Sequence, residues 1–73
     1  MKRSFTAIIE REDDGYVATC PDLGIASQGE TVAEARGNLA EAIELFLEAA
    51  SPAEIERRLG SEVYVTQIEV ANA

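Results

Sequence analysis

Seventy-three residues hold this chain to one domain with a small core, because a chain of that size buries only about 60% of its unfolded surface. One cysteine and no histidine exclude an internal disulfide, Ser-His-Asp and Cys-His catalysis, and the standard zinc ligand sets. Fourteen acids against six bases give a net charge of −8, which repels nucleic-acid backbones and anionic membranes and favours a basic partner.

The opening MKRSFTAIIE has two bases but no apolar run of signal-peptide length, so it reads as a strand and not as a targeting segment. Ser4 to Arg11 is rich in β-formers and forms the first predicted strand. Phe5, Ala7 and Ile9 share one face. Ile8 on the other implies burial on both sides, which places this strand centrally in a sheet. Glu12-Asp13-Asp14-Gly15 is a polar turn ending in a residue that tolerates positive φ. Tyr16 to Cys20 is the second strand, and the pair reads as a hairpin. Pro21-Asp22-Leu23-Gly24 is a second turn, and Ile25 to Gln28 a short third strand.

Thr31-Val32-Ala33-Glu34 is a capping box: the Thr31 hydroxyl accepts from the Glu34 N–H, and the Glu34 carboxylate reaches back to the Thr31 N–H. A helix is predicted from Val32 to Ala49. Val32, Ala35, Leu39, Ala42, Ile43, Phe46 and Ala50 recur at steps of three and four and form an apolar stripe. Glu34, Glu41, Glu44 and Glu48 lie on the opposite side, with few bases among them to pair with. That acidic face is either solvated surface or a patch that meets a partner. Gly37, inside the helix, marks either a close approach by another element or simple tolerance. Ser51-Pro52-Ala53-Glu54 repeats the capping pattern and starts a short helix anchored by Ile55 and Leu59 and stopped by Gly60. Glu62 to Val70 reads as the last strand.

The order is β-β-β-α-(α)-β. A right-handed crossover would lay the last strand beside the first and parallel to it. The expected fold is therefore α+β: a two-layer sandwich with a mixed four-stranded sheet and one long helix on one face, a single domain over residues 1–73. A chain this small is also expected to form a homo-oligomer, a dimer or a tetramer. Strand three offers a free edge for pairing. No apolar run is long enough to span a membrane, and a lone Cys20 fits a reducing compartment, so the cytoplasm is expected.

Gly15-Tyr16-Val17-Ala18, the turn Pro21-Asp22-Leu23-Gly24, the run Ser27-Gln28-Gly29-Glu30-Thr31 and the helix opening Glu34-Ala35, continued by Asn38-Leu39 and Ala42-Ile43, stand in an order and spacing that resemble the HicB-like antitoxin family. The resemblance covers nearly the whole chain. Gly15, Tyr16, Pro21, Gly24, Gly29, Thr31 and Glu34 carry its structural motifs. The chain has Leu23-Gly24-Ile25 where many members have Pro-Gly-Cys, and Glu30 where aspartate is usual. The sequence ends soon after its last strand, so the C-terminal DNA-binding domain of many members is not expected. The resemblance implies a partial RNase H fold. It also implies a non-enzymatic antitoxin that binds a small, basic, HicA-type toxin, a protein with a double-stranded-RNA-binding-like fold that cleaves mRNA with a histidine. The rival reading is a stand-alone homo-oligomeric regulatory or scaffold module of the same fold.

No cofactor or metal is expected. Two-metal nuclease chemistry needs carboxylates converging on adjacent strands, whereas Glu10, Glu12, Asp13 and Asp14 sit at a strand end or in a turn. Cys20 reads as a small apolar residue. Tyr16 and Tyr64 read as core or rim residues, or as interface anchors. Arg57 and Arg58 suit the C-terminal end of a helix dipole.

Overall fold

A computed structural model describes residues 3–72, leaving Met1, Lys2 and Ala73 of the expected 1–73 domain outside it. Its elements run β1 (Ile8–Glu12), β2 (Gly15–Cys20), β3 (Ile25–Gly29), α1 (Val32–Ala49) and α2 (Pro52–Leu59). The fold is α+β. The three strands form an antiparallel meander in the order β1-β2-β3, with α1 packed on one face.

Register sorts the side chains. Ile9 pairs with Ala18, Ala18 with Ser27, Cys20 with Ile25 and Tyr16 with Gly29. Because successive residues alternate faces, these residues all point toward the helix layer. From α1, Ala35, Leu39 and Ile43 meet them. The buried core is those three with Ala18, Cys20 and Leu23, and Phe5, Ile9, Tyr16, Ile25, Phe46 and Leu47 pack around it. Cys20 is therefore a buried core residue. Val32, expected in the helix stripe, is exposed at the first residue of α1.

The two layers approach closely at Gly29. A Cβ there would sit 2.5 Å from the Ala35 nitrogen and 2.8 Å from the Glu34 carbonyl carbon. Only glycine lets the strand run directly beneath the first turn of α1. Gly37 has open space around it, so its place in the helix reflects tolerance and not a close approach.

Several expectations are corrected. Among the described residues the sheet has three strands, not four. Glu62 to Val70 takes no regular secondary structure, is exposed along its whole length and has no strand pairing. β1 is an edge, not a central strand: the meander places β2 between its neighbours, and among the described residues nothing pairs the far side of β1. β1 also starts only at Ile8. Phe5 and Thr6 approach the body without joining the ladder, and the Thr6 N–H donates to Asp22 Oδ2 at 2.9 Å. Ile8, expected to be buried, lies on the face that carries no helix and is exposed. In the β1–β2 turn it is Asp13, with φ 52°, that takes the left-handed conformation. Gly15 is needed for another reason: a Cβ there would meet the Gly29 carbonyl oxygen at 2.8 Å.

The helix starts follow the sequence. The Thr31 hydroxyl accepts from the Glu34 N–H at 3.0 Å, and the Ser51 hydroxyl from the Glu54 N–H at 3.2 Å. The return bond differs by one residue, because Glu34 Oε1 accepts from the Glu30 N–H at 3.1 Å and not from Thr31. Gly60 ends α2 in a right-handed conformation (φ −73°, ψ −13°), so it caps the helix without the left-handed reversal that glycine often supplies.

The two interior glycines predict effects of opposite sign. Gly37→Ala should raise the unfolding free energy by up to about 1 kcal/mol, the helix-propensity difference. Gly29→Ala should lower it by more than that, because backbone must move. Urea denaturation of both variants checks this, and equal effects would refute the assignment of close approach to Gly29.

Candidate functional site

The acids predicted on the long helix occupy one side of it. At 3.6 residues per turn, Glu34, Glu41, Glu44 and Glu48 span about 80° of the circumference. The buried Ala35, Leu39 and Ile43 centre on the opposite side. This opposition follows from the packing. Once the apolar stripe seats on β2 and β3, the acidic stripe must face solvent, and all four glutamates are exposed. Among the described residues, the ion pairs are those of Glu54 with Arg57 and Arg58, so no guanidinium neutralises this stripe.

The structure also joins this stripe to acids that the sequence left in a separate turn. The β1–β2 turn lies against the start of α1. Together they line a cleft of about 760 Å³ that includes Glu12, Asp13, Asp14, Glu30 and Glu34. The pairing of Gly15 with Glu12, and of Tyr16 with Gly29, brings these pieces together. The acidic surface therefore runs from the hairpin tip over the N-terminal end of α1 and along its outer face. Among the described residues no cluster of three or more His, Cys, Asp or Glu side chains has the geometry to hold a metal ion.

Leu45 is the residue that the sequence reading passed over. It lies between Glu41 and Glu48 on the helix surface and is 58% exposed. A large exposed apolar side chain beside a row of carboxylates suits a protein-docking surface, in which a desolvated apolar contact carries affinity and neighbouring charges select the partner. The signal was available: leucine at 45 breaks the polar face of an otherwise regular amphipathic pattern.

The other predicted residues take structural places. Gly15 and Gly29 allow close backbone approach. Pro21 and Gly24 form the turn that sends Leu23 into the core, with Gly24 at φ 69° and its N–H donating to the Cys20 carbonyl at 2.9 Å. Tyr16 is half-buried at the rim. Arg11 lies over its ring at 5.7 Å and reaches its hydroxyl at 3.5 Å. Tyr64 is exposed in the C-terminal segment. Arg58 does more than complement a helix dipole. Its guanidinium donates to the Leu23 carbonyl at 2.7 Å and to Glu54 at 3.0 Å, and it lies 4.8 Å over the Phe46 ring. It ties α2 to α1 and to the β2–β3 turn. Asn38 similarly ties α1 to the edge strand, donating to the Gln28 carbonyl at 2.8 Å.

This α+β chain belongs to the family described as "Family of unknown function (DUF7387)", which matches residues 4–71. It is 38% identical to a UPF0150 protein of Helicobacter pylori over 68 residues, which cover 92% of this chain and 94% of that protein. It is 52% identical over 50 residues to the UPF0150 protein ssl0738 of Synechocystis, covering 66% and 69% of the two chains. A second Synechocystis relative, the UPF0150 protein ssr1765, is 50% identical over 48 residues, 63% of this chain and 61% of that one. No solved structure matches the chain. No helix among the described residues is long and apolar enough to cross a membrane.

If the acidic face has no structural role, its reversal costs nothing in folding. The double variant Glu41→Lys, Glu48→Lys should unfold within about 0.5 kcal/mol of the parent or above it, since surface changes are small and like charges are removed. Any gain should shrink in high salt. A loss well beyond 1 kcal/mol on urea titration would show that the face supports the fold.

Proposed function

We propose that this chain is a HicB-like antitoxin, a non-enzymatic cytoplasmic protein that binds and neutralises a small, basic, mRNA-cleaving toxin of HicA type. The observation that carries the proposal is the outer face of α1. Three glutamates at heptad spacing and a fourth beside them lie directly opposite the buried stripe, with exposed Leu45 at the edge of their row, and acids of the hairpin tip extend the same field. The ordered sequence elements that resemble the antitoxin family support the same reading.

The mechanism is competition for a basic surface. A ribonuclease must present cations to the RNA backbone. Carboxylates held on a rigid helix compete for those cations without supplying a scissile bond. Opposite fields speed encounter, and burial of Leu45 against the toxin slows release. Covering the toxin's RNA-binding and catalytic face excludes substrate, so inhibition needs no chemistry from the antitoxin. Self-association belongs to the same proposal, as it raises the number of acidic faces per particle.

Affinity isolation of the tagged chain from its native host tests the reading. The expected result is a short, basic protein in stoichiometric amount, whose RNA cleavage the chain suppresses in a purified assay. The variant Glu41→Lys, Glu48→Lys should then weaken inhibition at least tenfold, as loss of close charge pairs across an interface does. Recovery of the chain with no basic protein, or undiminished inhibition by the variant, would overturn the proposal.

A further inference from the structure

The C-terminal segment is the least explained part of the molecule. Glu62 to Val70 reads EVYVTQIEV, an apolar and β-branched run of strand character. It takes no regular secondary structure and is exposed throughout, with Tyr64 at 80%, Ile68 at 81% and Val70 at 77%. A strand so composed normally lies in a sheet. Here its backbone makes no hydrogen bond to any other element among the described residues.

The body has a matching deficit. β1 is an unpaired sheet edge. Beside it, between the stretch Arg3 to Ala7 and α1, runs a cleft of about 690 Å³ with Phe5, Leu39, Ile43 and Leu47 in its wall. The charges correspond. In a chain of net charge −8, this cleft carries two of the few bases, Arg3 and Arg36, against one acid, Glu44. The segment carries Glu62 and Glu69.

Size and shape agree. A compact chain of 7.9 kDa exposes about 4,400 Å², whereas this one exposes 6001 Å². The excess, about 1,600 Å² on one chain, is about twice what each partner gives to a standard protein–protein interface, as an exchange that buries both a segment and a cleft of every chain requires. The radius of gyration is 14.5 Å, with a longest extent of 50 Å, against about 11 Å for a compact domain of this length.

We propose that Glu62–Val70 is a fourth strand completed in trans: the segment of a second copy adds to the free edge of β1 and closes the cleft over Phe5, Leu39 and Ile43. Reciprocal exchange gives a closed twofold dimer. The connection to α2 favours exchange over folding back. Gly60 keeps a right-handed conformation, its N–H bonded to the Glu56 carbonyl at 2.9 Å, and the Ser61 N–H is bonded to the Arg58 carbonyl at 3.3 Å. The chain therefore leaves α2 without reversing, and a hinge this short favours swapping. This gives the self-association proposed above a surface, one apart from Leu45, and it is measured with no toxin present.

Sedimentation or light scattering of the full chain tests it, together with two variants outside the core. Thr66→Pro removes a ladder donor from the middle of the strand. A Gly-Ser-Gly insertion after Gly60 lets the segment fold back on its own β1. The expected results are twice the chain mass for the parent and a dimer dissociation constant at least tenfold higher for Thr66→Pro, with its helical circular dichroism intact. The insertion variant should have the mass of one chain. A parent with the mass of one chain would overturn the proposal, as would an oligomer unchanged by Thr66→Pro or by the lengthened hinge.

Discussion

The seating of α1 on β2 and β3 is the interaction on which the rest of this structure depends. Among the described residues six are buried, three from the helix and three from the β2–β3 region. The layers can close on so few side chains because Gly29 leaves room for the first turn of α1 and because Leu23 is folded in by its turn. Small residues set the spacing: Ala18, Cys20 and Ala35 are all fully buried. A core of this kind has little reserve, so single losses in it are felt strongly.

That seating also decides the surface. A helix with one apolar stripe has a single stable orientation on a sheet. Fixing it turns Glu34, Glu41, Glu44 and Glu48 outward without any further instruction. The hairpin tip is carried to the same end by the strand register, so its acids join the helix acids in one field. Arg58 and Asn38 hold the flanking pieces, α2 and the β3 edge, against that frame. The surface that the proposed function uses is thus a by-product of core packing, held rigid by it.

The local elements were legible in the sequence because their causes are local. Capping residues at Thr31 and Ser51, the apolar steps along α1 and the polar turns each act within a few residues, and α1 runs from Val32 to Ala49 as the pattern requires. The acidic helix face was legible for the same reason. What the sequence did not yield depends on long-range pairing. Ile8 is apolar whether its strand is central or at an edge, and only the sheet order shows it to be at an edge. Glu62 to Val70 has the composition of a strand, but composition does not name the partner. The union of the hairpin acids with Glu30 and Glu34 arises from the pairing of Tyr16 with Gly29, which no short window contains. Arg58 bonds to Leu23 across 35 positions of chain. The expected RNase H likeness and fourth strand rest on the same long-range pairing, and among the described residues the sheet has three strands.

If the outer face of α1 is a protein-binding surface for a basic partner, binding must cover it. Amide hydrogen exchange compares the free chain with the chain recovered from its native host in complex. New protection is expected along the outer side of α1, centred on Glu41, Leu45 and Glu48, and at the hairpin tip around Asp13 and Asp14. Protection confined to β1 and Glu62–Val70, with the outer face of α1 unchanged, would contradict it.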